Sequence, residues 1–104
     1  MYETAIGHAH LCARDLKRSV AFYMKYLKLK LTEIAADTAF TTGGGPHHQL
    51  AFWEVGKDAL EPIDRMIGLN HLAFDVPDKL SFAEAYRKLV DSGIAVEAID
   101  HRIG

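Results

Sequence analysis

The chain has 104 residues, 49% hydrophobic and 25% charged, with 12 basic against 14 acidic side chains and a formal net charge of −2. A domain of this length buries roughly 65% of its unfolded surface, enough for one modest core, and no basic block draws it to nucleic acid or to an anionic membrane. No apolar run approaches the ~18 residues of a membrane span, Met1-Tyr2-Glu3-Thr4 leads straight into a strand, and the single cysteine, Cys12, cannot form an internal disulfide, so the expected address is cytoplasmic.

Residues 4 to 13 alternate as a strand, with Ile6, His8, His10 and Cys12 on one face and Ala9, Leu11 and Ala13 on the other. Asp15 is an N-cap type, and Leu16, Val20, Tyr23 and Leu27 at offsets of four, three and four predict a helix to about Lys28 that lies over the Ala9/Leu11 face. Leu29 to Ile34, Thr38 to Thr42 and Gln49 to Val55 read as three further strands. The last two are joined through Gly43-Gly44-Gly45-Pro46, a hairpin turn rather than a phosphate cradle. These elements make a first module over about 4–55, and the polar, Pro62-bearing stretch 56–68 is a connector with a helical turn near Asp64-Met66.

The second module, 69–104, repeats the first in worn form. Shifting the chain by 63 positions brings His8 onto His71, Leu11 onto Phe74 and Asp15 onto Asp78, and one added residue brings Glu33 onto Glu97. A strand from Leu69 carries Leu72, Phe74 and Val76 on its helix side and His71 on the side of His8. The second helix has a capping-box pattern at Ser81-Phe82-Ala83-Glu84, an apolar stripe of Phe82, Tyr86, Leu89 and Val90, and Gly93 as its stop; Ile94 to Ile99 follows as a strand. The expected architecture is a single α+β domain of paired βαβββ modules, the second short of its last two strands. If the modules pack about a pseudo-twofold axis, His8 and His71 face one shared cavity, and two imidazoles at one point suggest a metal.

The repeat, the helix phrase Asp15-Leu16-Lys17-Arg18-Ser19-Val20-Ala21-Phe22-Tyr23 and four short pieces carry a family resemblance. The pieces are Ile6-Gly7-His8, His47-His48-Gln49-Leu50-Ala51, Asn70-His71-Leu72-Ala73-Phe74 and Asp100-His101-Arg102. The sequence resembles the vicinal oxygen chelate superfamily, which includes glyoxalase I, bleomycin-resistance proteins and type I extradiol dioxygenases, and within it the catalytic domain of extradiol catechol dioxygenases. The resemblance implies that His8 and His71 ligate a catalytic Fe(II), or Mn(II), with coordination positions open for a catechol-type diol and O2. It implies that His48 is an acid/base beside the O2 site, a role worth on the order of 10²–10⁴ in rate, and that His101 hydrogen-bonds a catechol oxygen. It also implies a homodimer.

His10 shares a face with His8 and reads as pocket-lining, as does Phe52 if its strand alternates through His48. Alternation does not settle whether His47 or His48 points inward. Cys12 reads as a small buried apolar group. The family's third ligand is a glutamate on the last strand, preceded by a tyrosine, and Gly104 comes before either. A further strand, a partner chain or loss of catalysis each accounts for that, the first being expected because the fold otherwise keeps an unpaired sheet edge. Glu54 is read as a carboxylate on the His48 face that could substitute as a ligand. Glyoxalase-like enzymes use a glutamate on the fourth strand where this chain has Leu50-Ala51-Phe52, which favours oxygen chemistry over isomerisation. A metal-dependent isomerase or lyase and a metal-free binding protein of the same fold are the alternative functions.

Overall fold

The structure, a computed structural model, describes residues 1–97. The chain divides into two compact units, Met1–Met66 and Ile67–Gly104.

The first unit holds β1 (Ala9–Ala13), α1 (Leu16–Leu27), β2 (Lys30–Ala35), β3 (Thr38–Thr42) and β4 (Leu50–Glu54). The four strands form one sheet in the order β1-β4-β3-β2. β1 runs parallel to β4, and the other two pairs are antiparallel. A parallel pair needs a crossover connection, and α1 followed by the β2–β3 hairpin supplies it. The helix begins where Asp15 caps it, the carboxylate accepting from the Arg18 backbone N–H at 3.1 Å. A second acceptor sits at the same end: Glu54 Oε2 takes the Leu16 N–H at 2.8 Å. That bond ties the start of α1 to the end of β4, so Glu54 is a capping carboxylate rather than a group on the histidine face.

The expected stripe packs as drawn. Val20, Leu29, Ala39, Leu50 and Phe52 form the buried cluster, with Ala9, Leu11, Leu16, Tyr23 and Leu27 against it. The Tyr23 and Phe52 rings lie 4.9 Å apart between centroids. Thr41 is fully buried on the same side, where its hydroxyl donates to the Leu50 carbonyl at 2.7 Å, so no polar atom is stranded. The first strand is shorter than its alternation, starting at Ala9 rather than residue 4, because the ladder with β4 begins at the Ala9–Leu50 pair.

In the second unit α2 spans Lys79–Asp91. Its N-cap is Asp78, three residues before the expected Ser81, and the carboxylate accepts from the Ser81 N–H at 2.7 Å. Both Asp78-x-x-Ser81 and Ser81-x-x-Glu84 fit a start signal, and the earlier one adds a turn of helix. Asp15 and Asp78, one repeat apart, therefore do the same job. Gly93 takes the left-handed conformation just past the helix, with φ of 78°, as its stop role requires. Residues 69–76 form no strand ladder, nor do 94–97, and 98–99 of the expected last strand lie outside the described residues. The connector bends at Asp64-Arg65 without becoming helical.

Candidate functional site

The sheet face opposite α1 is built by the residues that alternate with the core. His10 lies in register with Ala51, and Ala51 with Phe40. Ala51 is completely buried and gives that face a small, flat floor. Phe40 stands beside it, its ring centroid 6.0 Å from His10 and 4.9 Å from His48. His8, one residue before β1, brings its ring to 5.3 Å from His10 and 4.5 Å from His48. One ligating atom from each of His8, His10 and His48 lies within 4.8 Å of the others.

The loop before β4 delivers His48. Gly44 and Gly45 take positive φ values of 144° and 80°, a turn that side chains would oppose. Gln49 then locks the loop: its N–H donates to the Thr41 carbonyl at 2.8 Å, its carbonyl accepts from the Ala9 N–H at 3.0 Å, and its side-chain oxygen accepts from the Gly43 N–H at 2.9 Å. Because β4 starts only at Leu50, its alternation does not extend through His48. This overturns the placement of Phe52 as a pocket-lining residue. Phe52 is 1% exposed in the core against Tyr23, on the opposite side of the sheet from the histidines.

His47 and His48 both belong to the constellation. His47 Nδ1 and His48 Nδ1 are 2.9 Å apart, and His47 Nε2 is 3.1 Å from Glu33 Oε1. Glu33 reaches this face through a β-bulge. The β2–β3 register runs Leu31 to Thr41 and then Glu33 to Phe40, leaving Thr32 as the extra residue. A regular ladder would set Glu33 opposite Ala39, on the core side; the bulge moves it to the Phe40 side. Burial among the rings lowers the His48 pKa from its ordinary value, neighbouring His8, His47 and His10 lower it further, and Glu33 opposes them. These neighbours favour the neutral form of His48.

The repeat and strand alternation singled out His8 and His10, and the family resemblance His48; Phe40, which alternation along Thr38–Thr42 would have found, was missed, as was Glu33, which no periodicity finds across a bulge. His71 lies in the second unit, its Nδ1 2.7 Å from Asn70 Oδ1. His101 lies outside the described residues. Cys12 is exposed. A separate cavity of about 530 Å³ on the first unit is lined by Cys12, Arg14, Arg18, Phe22, Tyr23 and Leu60 among others, and contains no histidine.

A sequence model of the Glyoxalase/Bleomycin resistance protein/Dioxygenase superfamily matches residues 5–104, nearly the whole chain. The chain belongs to this superfamily. A curated member, catechol-2,3-dioxygenase of Bacillus subtilis (strain 168), is 30% identical over 101 residues, which are 97% of this chain and 35% of that protein. The chain thus spans about a third of the length of this relative. Among solved structures of the superfamily, a glyoxylase/bleomycin resistance protein/dioxygenase domain from Frankia sp. EAN1pec superposes with a TM-score of 0.66 at 26% identity, covering 90% of this chain and 77% of that one. An integron cassette protein from the mobile metagenome of V. cholerae shares the fold, with a TM-score of 0.68 at 22% identity over 100% of this chain and 80% of its own. The α+β reading of the sequence agrees with the folds of these neighbours. Metal binding is frequent in the superfamily, and the His8, His10 and His48 imidazoles lie close enough to share a transition-metal ion. No helix among the described residues is long and apolar enough to cross a membrane.

Proposed function

We propose that this protein is an extradiol ring-cleaving dioxygenase that uses a non-haem Fe(II), or Mn(II), to open a catechol-type aromatic diol with O2. The observation that carries the reading is the approach of His48 to His8, the acid/base match beside the ligand match, with ring centroids 4.5 Å apart. Likeness to a catechol-2,3-dioxygenase supports it. So does the histidine face of β4, where Ala51 stands and an isomerase of this fold would need a carboxylate. Glu54 offers none there, being engaged with the Leu16 N–H.

In this reading His8 and His71 would hold the metal, with a carboxylate completing the set. The metal, when bound, would supply Lewis-acid and O2-activating chemistry. The chain's own residues do the rest. His48, favoured in its neutral form, takes a proton from a diol hydroxyl and returns it to the ring-opened product, so it must sit within hydrogen-bond reach of both. His101 donates to a diol oxygen and holds it as an anion. His10 and Phe40, their ring centroids 6.0 Å apart, form one wall beside the floor that buried Ala51 makes. A cytoplasmic homodimer completes the proposal.

The test is anaerobic loading of the full chain with Fe(II), followed by catechol and then air. A yellow ring-opened product should form, His71→Ala should abolish it, and His48→Ala should slow it by about 10²–10⁴. Absence of product from the loaded chain would overturn the reading.

A further inference from the structure

The histidines of the first unit do more than prepare one ligand for a site completed elsewhere. We propose that His8, His10 and His48 form a cation site complete within the first unit, taking a borderline divalent ion such as Zn(II), Cu(II) or Ni(II), with Glu33 and His47 as its built-in support.

Three observations carry this. The first is the donor set itself. One ring nitrogen from each histidine lies within 4.8 Å of the other two. Around a tetrahedral ion with bonds of about 2.0–2.1 Å, ligand nitrogens sit roughly 3.3 Å apart, so ring rotations of about an ångström close the site. His8 and His10 are exposed and free to make them.

The second is the tautomer chain behind His48. The Glu33 carboxylate can only accept, so His47 donates to it through Nε2–H. With its proton on Nε2, His47 offers Nδ1 as an acceptor 2.9 Å from His48 Nδ1, to which His48 donates from that atom. His48 is left with its lone pair on Nε2. A carboxylate thus fixes, through one ring, which nitrogen of the next is available to a metal, as partners behind ligating histidines commonly do.

The third is the bulge. Its extra residue, Thr32, turns Glu33 from the core side to the histidine side. A regular ladder would have removed the support. The bulge therefore has a consequence at the cluster that packing of the apolar core does not explain, since Glu33 takes no part in that core.

The donor set also selects the ion. Three neutral nitrogens and no carboxylate among the ligands follow the usual rise in affinity from Mn(II) and Fe(II) to Cu(II) and Zn(II). Three protein ligands leave one position for water. His8 and His48 belong to both this site and the proposed dioxygenase centre, His48 as a ligand here and an acid/base there, but this site needs His10 and not His71. It stands whether or not the chain cleaves catechol.

Zn(II) titrated into the metal-free full chain against a chromophoric chelator tests it, with Co(II) absorption as a second readout of a tetrahedral nitrogen site. One ion should bind per chain. His10→Ala should weaken it at least tenfold, Glu33→Gln by about 10–100-fold as for other supporting partners, and His71→Ala should leave it unchanged. His10→Gln, at the same exposed position, guards against a folding artefact, with circular dichroism as the check. Unchanged Zn(II) affinity in folded His10→Ala and His10→Gln would overturn the proposal, as would loss of binding in His71→Ala.

Discussion

Single residues on the histidine face are defined by what surrounds them more than by what they are. His48 has the same imidazole as His8, but burial among neighbouring rings lowers its pKa from the ordinary 6.5. The sign follows directly. Below 6.5 the unfolded chain takes up a proton at this side chain that the folded chain refuses, so acidification favours unfolding through His48 until its lower folded pKa is passed. Its contribution is whole above pH 6.5. The His48 ring resonances should titrate with a midpoint below 6.5, and the fall in urea midpoint between pH 7.5 and 5.5 should be smaller in His48→Gln than in the parent chain. An unshifted midpoint would mean that the rings do not crowd one another in solution.

At the scale of the element, what the sequence revealed depended on how local the signal was. The stripe Leu16, Val20, Tyr23 and Leu27 needs only the helical period, and the helix it predicts has the bounds and buried side observed. Ala9 and Leu11 under that helix were legible from a period of two. Phe52 was not, because carrying alternation from His48 to Phe52 assumes one strand, while the loop that Gln49 pins ends only at Leu50. Glu33 was hidden for a related reason: a bulge is a property of the pairing with β3, and no single strand announces it. The caps were half legible. Asp15 caps α1 as read, whereas the second helix starts from Asp78 instead of Ser81. That correction carries a prediction. The Ser81 backbone N–H, then its side chain, hold the Asp78 carboxyl below its usual pKa, so this cap stabilises the folded state above about pH 4 and is lost as acid protonates it through its lowered value. Asp78→Ala should lower helical circular dichroism at pH 7 and remove part of its decline between pH 5 and 2. Asp15→Ala, at the repeat-related position, should cost about 1 kcal/mol of stability in the first unit.

Across the molecule, burial is unevenly shared. Every buried residue among those described lies in the first unit, while α2 has none and its stripe residues Phe82, Tyr86 and Val90 stay substantially exposed. Hydrogen-exchange protection follows buried apolar packing. Amides of β3 and β4 should therefore exchange far more slowly than those of α2, and Phe52→Ala, which empties the centre of that core, should cost about 3–5 kcal/mol. Metal then becomes a probe of ligation. An ion at 100 times its dissociation constant stabilises the state that binds it by about 2.7 kcal/mol, and only segments whose opening breaks a ligand bond gain that protection. An ion held by His8, His10 and His48 should slow exchange around residues 8–12 and 47–51 and leave 69–91 as before. An ion held by His8 and His71 should slow exchange in both units. Running the experiment with Zn(II) and then with Fe(II) under nitrogen assigns each metal its ligands without reference to turnover. Protection confined to the second unit with either ion would exclude His8 from both sites.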